Sequence, residues 1–537
     1  MGLLSVVVTV VLVVLVGMVA PVAAADLVLH WNDELLDAIR AEGTNPPRAT
    51  RAMAMVNVAV FDSVVGIAGG YQSYAVAGPG PVGASLEAAA AAAAHGVLVH
   101  LYPGRQAILD EAFGAHVQAL PASLAVTDGL AWGAQVAAEI VALRADDGSD
   151  AVASYDYVPG AGWWVTTPPA FAPALLPNWP QVVPWTLSSP SRFRVPSPPP
   201  PSSPEYTAAF EEVKRLGSTT SSERTADQAE IARFWNDGPG TNTPPGHWNE
   251  ILQTLAEQHD LSLIENARLF ALHGMVVADA AIVSWENKYY YNHWRPVTGI
   301  RLAGEDGNPA TEPDEAWTNY IGTPPFPAYT SGHSSFSGSS SRIAELFFGS
   351  DAQAFSVVSD GEPGAVRHFT SLSEAAEEAG MSRIYGGIHW QYDNEQGLVS
   401  GRRVAEQAFF AYLRPSTGAV TACDPQTQLC LGGGRFAVDV SWRTDEGDTG
   451  AGVPVPLNEG SGSFWFFQEG NTEVTVKVID ACTSEFDRYW VFASGLTDVE
   501  VVLTVTDTHE GRVRHYFNPR GTAFAPVQDT DAFDTCP

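Results

Sequence analysis

Residues 266–294, "NARLFALHGMVVADAAIVSWENKYYYNHW", leave this chain few ways to fold. Apolar residues recur on every face of a helix through about eight turns. A helix that is apolar all round must be covered on all sides, so other helices have to surround it. Candidates are close at hand. "WNDELLDAIRAEG", "PPRATRAMAMVNVAVFDSVVGI" and "SLEAAAAAAAHGVLVHLYPG" carry apolar residues at three- and four-residue spacing, broken by Gly and Pro. Helical periodicity runs from Asp26 to about Leu413.

The pattern changes after Pro415. "RFAVDVSWRT", "GSFWFFQEG", "TEVTVKVID", "RYWVFASGL" and "VEVVLTVTDT" are short runs of Val, Thr and aromatics between Gly, Asn and Asp turns. The expected architecture is mainly α: a helical-bundle catalytic domain over 26–415, then a small all-β, sandwich-like domain over 422–537. Between Tyr155 and Pro204 lies a Trp- and Pro-rich stretch ending "RVPSPPPPSSP". It reads either as a linker or as a long excursion packed on the helices, and its aromatics favour the second.

The first 25 residues combine an apolar run with Pro21 and an alanine cluster, the form of a secretory signal cut near Ala23 to Ala25. Left uncut, the run is long enough to be an anchor; once it is cut, no membrane domain is expected. Export suits the four cysteines, Cys423, Cys430, Cys482 and Cys536, which all fall in the last quarter of the chain. Two disulfides are expected, Cys423 with Cys430 and Cys482 with Cys536 as the preferred pairing.

The formal net charge is −33, from 61 acidic and 28 basic side chains, which excludes nucleic acid and anionic membranes as partners. Any anionic ligand must therefore be held by a local cluster of cations. Three segments supply one. In "KYYYNHWRP", Lys288 and Arg295 are seven residues apart, which on one helix places both on one face about 10 Å apart. Among Trp285, Tyr289 and Trp294 they read as buried, and buried cations need an anion or carboxylates. A solvated basic edge is the plain alternative.

In "PPFPAYTSGHSSFSGSSSR", a loop runs into a helix start at Ser331 and Gly332, whose free N–H groups and hydroxyl can cradle an anion, with His333 at the mouth for proton transfer. A Ser-rich surface loop is the alternative here. In "MSRIYGGIHWQYD", Gly386 and Gly387 let the backbone turn so that Arg383 and His389 can converge. A lone His on an aromatic stretch is more often a core residue, and Asp393 can either orient His389 or face solvent.

Lys-x6-Arg-Pro, then Ser-Gly-His, then Ser-Arg-x5-His resembles the signature of the vanadium-dependent haloperoxidases and their relatives, the type-2 phosphatidic acid phosphatases. "FPAY", "RIYGGIHWQYD" and "WNDELLDAIR" resemble the haloperoxidase branch, and the likeness covers roughly residues 26–413. The resemblance implies a vanadate cofactor bonded to His389, with Lys288, Arg295, Ser331, Gly332 and Arg383 on its oxygens and His333 as acid–base residue. It implies hydrogen peroxide and halide as substrates, hypohalous acid as product and a small organic acceptor. Trp285 and Phe326 fall where chloride-oxidising members carry aromatics. The family usually has Pro where this chain has Thr330. Asp237, in "FWNDGPGT", is a second-layer candidate to pair with His333 or an Arg.

Two other functions remain open on sequence. An acid phosphatase would use the same residues, with His389 as nucleophile and His333 protonating the leaving group. An inactive binding or adhesion protein would act through the β module on a glycan or a cell surface.

Overall fold

Helix starts are written plainly in this chain. Asn45 before Pro46, Ser203 before Pro204 and Ser331 before Gly332 each turn a side-chain oxygen onto an N–H of the first helical turn. Thr225 with Gln228, and Ser262 with Glu265, form reciprocal capping boxes. The computed structural model describes residues 27–76, 78–415, 422–444, 448–482 and 486–536. The expected signal peptide therefore lies outside the described residues, as does most of the expected 415–422 boundary.

Among the described residues the helices are α1 (Leu27–Glu42), α2 (Pro46–Ala68), α3 (Leu86–Leu101), α4 (Gln106–Ala119), α5 (Leu124–Leu143), α6 (Pro204–Leu216), α7 (Ala226–Phe234), α8 (Thr243–Gln258), α9 (Leu263–Tyr291), α10 (Pro296–Arg301), α11 (Gly332–Phe348), α12 (Leu372–Tyr385) and α13 (Gln391–Ala411). Helix α9 is the central one, buried almost without interruption from Asn266 to Lys288. Helices α2, α11 and α13 pack around it. The Ser- and Gly-rich run after Ser331 is not a surface loop: it is buried helix, because α11 and α13 cross closely enough that small residues are required. A Cβ on Gly401 would come within 2.2 Å of the Ser335 carbonyl oxygen.

The 155–204 stretch has almost no regular structure yet is packed on the bundle. Trp164, Trp179 and Trp185 are buried. Asp279, in the middle of α9, accepts from the Trp185 and Thr186 amides at 2.7 Å each and from the Thr186 hydroxyl at 2.6 Å. This buried carboxylate is what ties the excursion down.

A hairpin of β1 (Phe355–Val358) and β2 (Val366–Phe369) sits between α11 and α12. The C-terminal region is a two-sheet antiparallel sandwich. Its strands are β3 (Leu429–Leu431), β4 (Phe436–Arg443), β5 (Thr449–Ala451), β6 (Val453–Asn458), β7 (Ser461–Trp465), β8 (Val474–Asp480), β9 (Tyr489–Gly495), β10 (Glu500–Asp507), β11 (Val513–Asn518) and β12 (Val527–Phe533). One sheet runs β11-β10-β4-β3 with β5 on β4, and the other β12-β9-β8-β7-β6. Their facing apolar side chains form a core separate from that of the bundle. The cysteines stand in the preferred pairs at bonding distance, with Cα separations of 5.7 and 5.5 Å.

The first sheet docks on α13. Phe517 stacks on Phe410 at 4.7 Å, Gln72 donates to the Val513 carbonyl, and buried Glu406 accepts from both Arg342 and Arg443.

Candidate active site

Helix α9 ends where Asn292 takes a left-handed conformation and its N–H returns to the Lys288 carbonyl. Arg295 then caps α10, with Pro296 in the first helical position. This corrects the single-helix reading of "KYYYNHWRP": the two cations are not on one helical face but on either side of a chain reversal. Both are fully buried. Lys288 donates to the carbonyls of Pro327 and Ala328 at 3.1 Å each, and to that of Thr330. Its three ammonium protons are thereby matched, so here it supplies charge to the site rather than a free donor. Burial, and then Arg295, push it well below the usual lysine range.

Arg295 donates through Nε to the Phe326 carbonyl (2.9 Å) and through Nη1 to the Ile388 carbonyl (2.7 Å) and His389 Nε2 (2.9 Å). Its Nη2 is buried with no partner among the described residues. Arg383, in the last turn of α12, donates through Nη1 to the Trp235 carbonyl (2.6 Å) and lies 2.5 Å from His333 Nε2, while Nε and Nη2 are buried and unpartnered. Burial lowers Arg295 to about 9 and Arg383 to about 10. Guanidinium N–H groups this deep ordinarily have acceptors, so three orphaned nitrogens on two facing arginines fit an anion with several oxygens.

The third segment converges as the Gly pair allows. Gly387 is left-handed, φ +76°, and its α-carbon lies against Gly217, leaving no space for a side chain. The turn delivers His389 just before α13. Asp393, completely buried, answers the question of its orientation: its Oδ2 accepts from His389 Nδ1 at 2.8 Å and from the Trp390 amide at 3.0 Å. Burial raises Asp393 to about 7 against the opposing pull of the Trp390 amide, Lys288 and Arg295. Burial and then Arg295 keep the His389 imidazole neutral, well below the usual range. The proton therefore sits on Nδ1, and the Nε2 lone pair faces the site, where it accepts from Arg295 Nη1.

Ser331 caps α11, its hydroxyl accepting from the Ser334 amide and its own N–H donating to the Asp393 carbonyl. Gly332 and His333 open the helix, where N–H groups lack intrahelical acceptors. Burial and then Arg383 hold His333 well below the usual imidazole range.

These groups stand at the floor of a cavity of about 430 Å³, lined among others by Trp285, Phe326, Gly332, His333, Arg383 and His389. Lys288, Arg295 and Ser331 stand immediately behind that wall. Trp285 and Phe326 touch at 4.8 Å, and Lys288 Nζ lies 4.9 Å from the Phe326 ring centre. The excursion completes this corner, with the Leu175 carbonyl accepting from Trp285 Nε1 and the Tyr289 hydroxyl.

Asp237 does not pair with His333 or with an arginine. It lies in a left-handed turn after α7 that aims its carboxylate at α8, 3.2 Å from His247 Nδ1, and reaches Arg383 only through its charge. Burial disfavours the charged form of His247, but Asp237 outweighs it and raises its pKa. His247 stacks on Trp235, whose carbonyl meets both Arg383 and His333. The sequence gives no spacing signal for His247.

Fold and site together define a helical-bundle protein built around a buried oxyanion pocket. Residues 268–418 match the family model described as the VCPO second helical-bundle domain. The vanadium chloroperoxidase of Curvularia inaequalis is 29% identical, the match covering 36% of this chain and 41% of that relative's length. Among solved structures, the first bacterial vanadium-dependent iodoperoxidase superposes with a TM-score of 0.64 at 28% identity, covering 73% of this chain and 97% of that one. A bacterial vanadium-dependent chloroperoxidase in its holo form shares the fold, with TM-score 0.55 at 18% identity over 68% of this chain and 91% of its own. Over its helical part the chain is thus similar, in sequence and in fold, to vanadium-dependent haloperoxidases.

Proposed function

We propose that this protein is an exported, vanadate-dependent haloperoxidase that oxidises bromide, and by virtue of Trp285 and Phe326 chloride, with hydrogen peroxide to hypohalous acid. The observation that carries the reading is the pairing of His389, neutral with its Nε2 lone pair turned to the site, with two buried arginines that have N–H groups to spare. His389 would bond the metal, Arg295, Arg383, Ser331 and the Gly332 amide would hold its oxygens, and Lys288 would add positive charge. When bound, vanadate supplies a Lewis acid for hydrogen peroxide.

The chain's own residues do the rest. Asp393 fixes the tautomer and orientation of His389. His333, neutral when the site is free, is placed to take a proton at the cavity floor, and the cation wall stabilises negative charge developing there. In an exported protein the two cysteine pairs are disulfides, which Ellman titration before and after reduction checks. The exposed β module is assigned contact with a glycan or cell surface, and glycan-array binding by the full chain tests that.

The central experiment is bromide oxidation by vanadate-reconstituted protein with hydrogen peroxide. Activity is expected, and its loss in His389→Ala. Phosphate-ester turnover with no halide oxidation at any vanadate loading would favour the phosphatase reading instead.

A further inference from the structure

We infer that the cavity in front of His333 and His389 binds the organic acceptor itself, and that the acceptor it takes is a neutral, electron-rich ring of the phenol class. The inference rests on the haloperoxidase reading. The cavity measures about 430 Å³. An oxyanion of five heavy atoms, counted at about 30 Å³ each as for water, fills roughly a third of it. The remainder has the size and lining of a small-molecule site, mostly apolar with a few polar groups.

Its walls are preformed. Pro46 and Pro244, in the first turns of α2 and α8, and Pro239, Pro324 and Pro325, in loops, line it from three separate segments, each with its backbone rotation fixed by the ring. Leu175 adds a further wall, anchored through its carbonyl to α9 and through its N–H to the Pro325 carbonyl.

The charge pattern identifies the class. Apart from the two histidines, the described lining has only two charged side chains, and both are engaged: Asp237 with His247, and Arg383 with Trp235, His333 and, through its two spare nitrogens, the oxyanion of the haloperoxidase reading. In a chain of net charge −33, no free carboxylate faces this space to pair with a cationic acceptor, and no cation remains at the mouth for an anionic one. Uncharged polar side chains come from Thr44, Asn45, Asn236, Thr243 and Thr323. A ring bound here meets hypohalous acid where it forms. A π pair of a ring carbon attacks the halogen, the O–X bond breaks, and the departing hydroxide takes the ring proton as water. The balance is ArH + X⁻ + H₂O₂ + H⁺ → ArX + 2 H₂O.

The test sets 4-ethylphenol against its analogue with a trimethylammonium group on the ethyl arm, an acceptor that the protein's overall charge attracts. Both compete for bromination by the vanadate-loaded full chain, and the product ratio is compared with that from reagent hypobromite in the same buffer. The neutral phenol should be favoured at least tenfold beyond the reagent ratio. Leu175→Trp, which fills the cavity, should move the ratio back toward the reagent value. Equal ratios for enzyme and reagent overturn the inference. Separately, equilibrium binding without peroxide or halide should show saturable uptake of 4-ethylphenol, at least tenfold tighter than that of the cation. No saturable binding overturns it whatever the halogenation result. Saturable binding without bromide oxidation counts against the haloperoxidase reading and leaves the cavity's preference standing.

Discussion

Replacing Asp393 by Asn separates two ways of holding an oxyanion. The carboxylate is completely buried and one oxygen takes both the His389 Nδ1 proton, at 2.8 Å, and the Trp390 amide, at 3.0 Å. An Asn carbonyl oxygen can accept from both, so the loop before α13 should keep its path. What changes is strength. A hydrogen bond to a charged acceptor contributes about 1.5–3 kcal/mol and a neutral one about 0.5–1.5, so the pull on Nδ1–H drops by about 1–1.5 kcal/mol. Nε2 becomes a poorer donor to a metal by about that amount, close to tenfold in affinity. A second effect opposes it, since losing a negative charge beside the pocket favours every anion, by up to about 4 kcal/mol at an effective dielectric constant of 20. Absolute affinity is therefore the wrong readout. Perchlorate, a tetrahedral monoanion held by hydrogen bonds alone, feels only the second effect, whereas vanadate, a monoanion near neutral pH and bonded to His389, feels both. Calorimetric titration of both anions into both proteins at about pH 8, above the Asp393 value of about 7, should show the vanadate-to-perchlorate affinity ratio falling about tenfold in Asp393→Asn. A ratio that moves less than twofold refutes the claim that Asp393 acts through His389.

Burial holds Arg295 near 9 and Arg383 near 10 in the free site, and a bound anion favours their charged forms. Binding above those values must take up protons, so affinity for tungstate, a dianion throughout this range, should fall through pH 7 as Asp393 ionises and fall again above about pH 9, by at most tenfold per unit for each group. A flat profile to pH 11 would contradict the burial of these charges. Gly401→Ala places a methyl 2.2 Å from the Ser335 carbonyl oxygen and should cost about 3 kcal/mol in urea denaturation; a loss under about 0.5 kcal/mol would mean that α11 and α13 are not packed as described. Truncation after Leu413 removes the stacking partner of Phe410, for which burial contributes about 1.5–3 kcal/mol. The melting temperature should fall while vanadate affinity stays within about threefold, because no described residue of the β module lines the cavity.

Segments whose chemistry is local were legible in the sequence. Ser331–Gly332–His333 at a helix start and Arg383 with His389 around a Gly pair declare themselves because capping and turning are decided by neighbours in the chain. The β pattern and the buried helix α9 were legible for the same reason, since periodicity is a local property. The relation of Lys288 to Arg295 was misread because it depends on Asn292 adopting a left-handed conformation, which seven-residue spacing does not reveal. Asp237 found His247 rather than His333 because that choice is made between a turn and a separate helix. Nor did composition reveal that Leu175, in a proline-rich excursion, would brace Trp285 and Tyr289. These are tertiary facts, fixed by packing across long stretches of chain.

The cationic floor of the pocket lies inside a protein of net charge −33, and this sets a rate as well as an affinity. An anion approaching from solvent climbs a repulsive potential before it meets the arginines. Added salt shortens the reach of that potential, to about 10 Å at 0.1 M, but screens the buried contacts at the floor far less. Ionic strength should therefore speed the capture of vanadate while hardly changing its escape, the reverse of electrostatically steered association. Once loaded, the acidic exterior that slowed entry has little hold on departure, and the cofactor's residence time is decided at His389 and its two arginines.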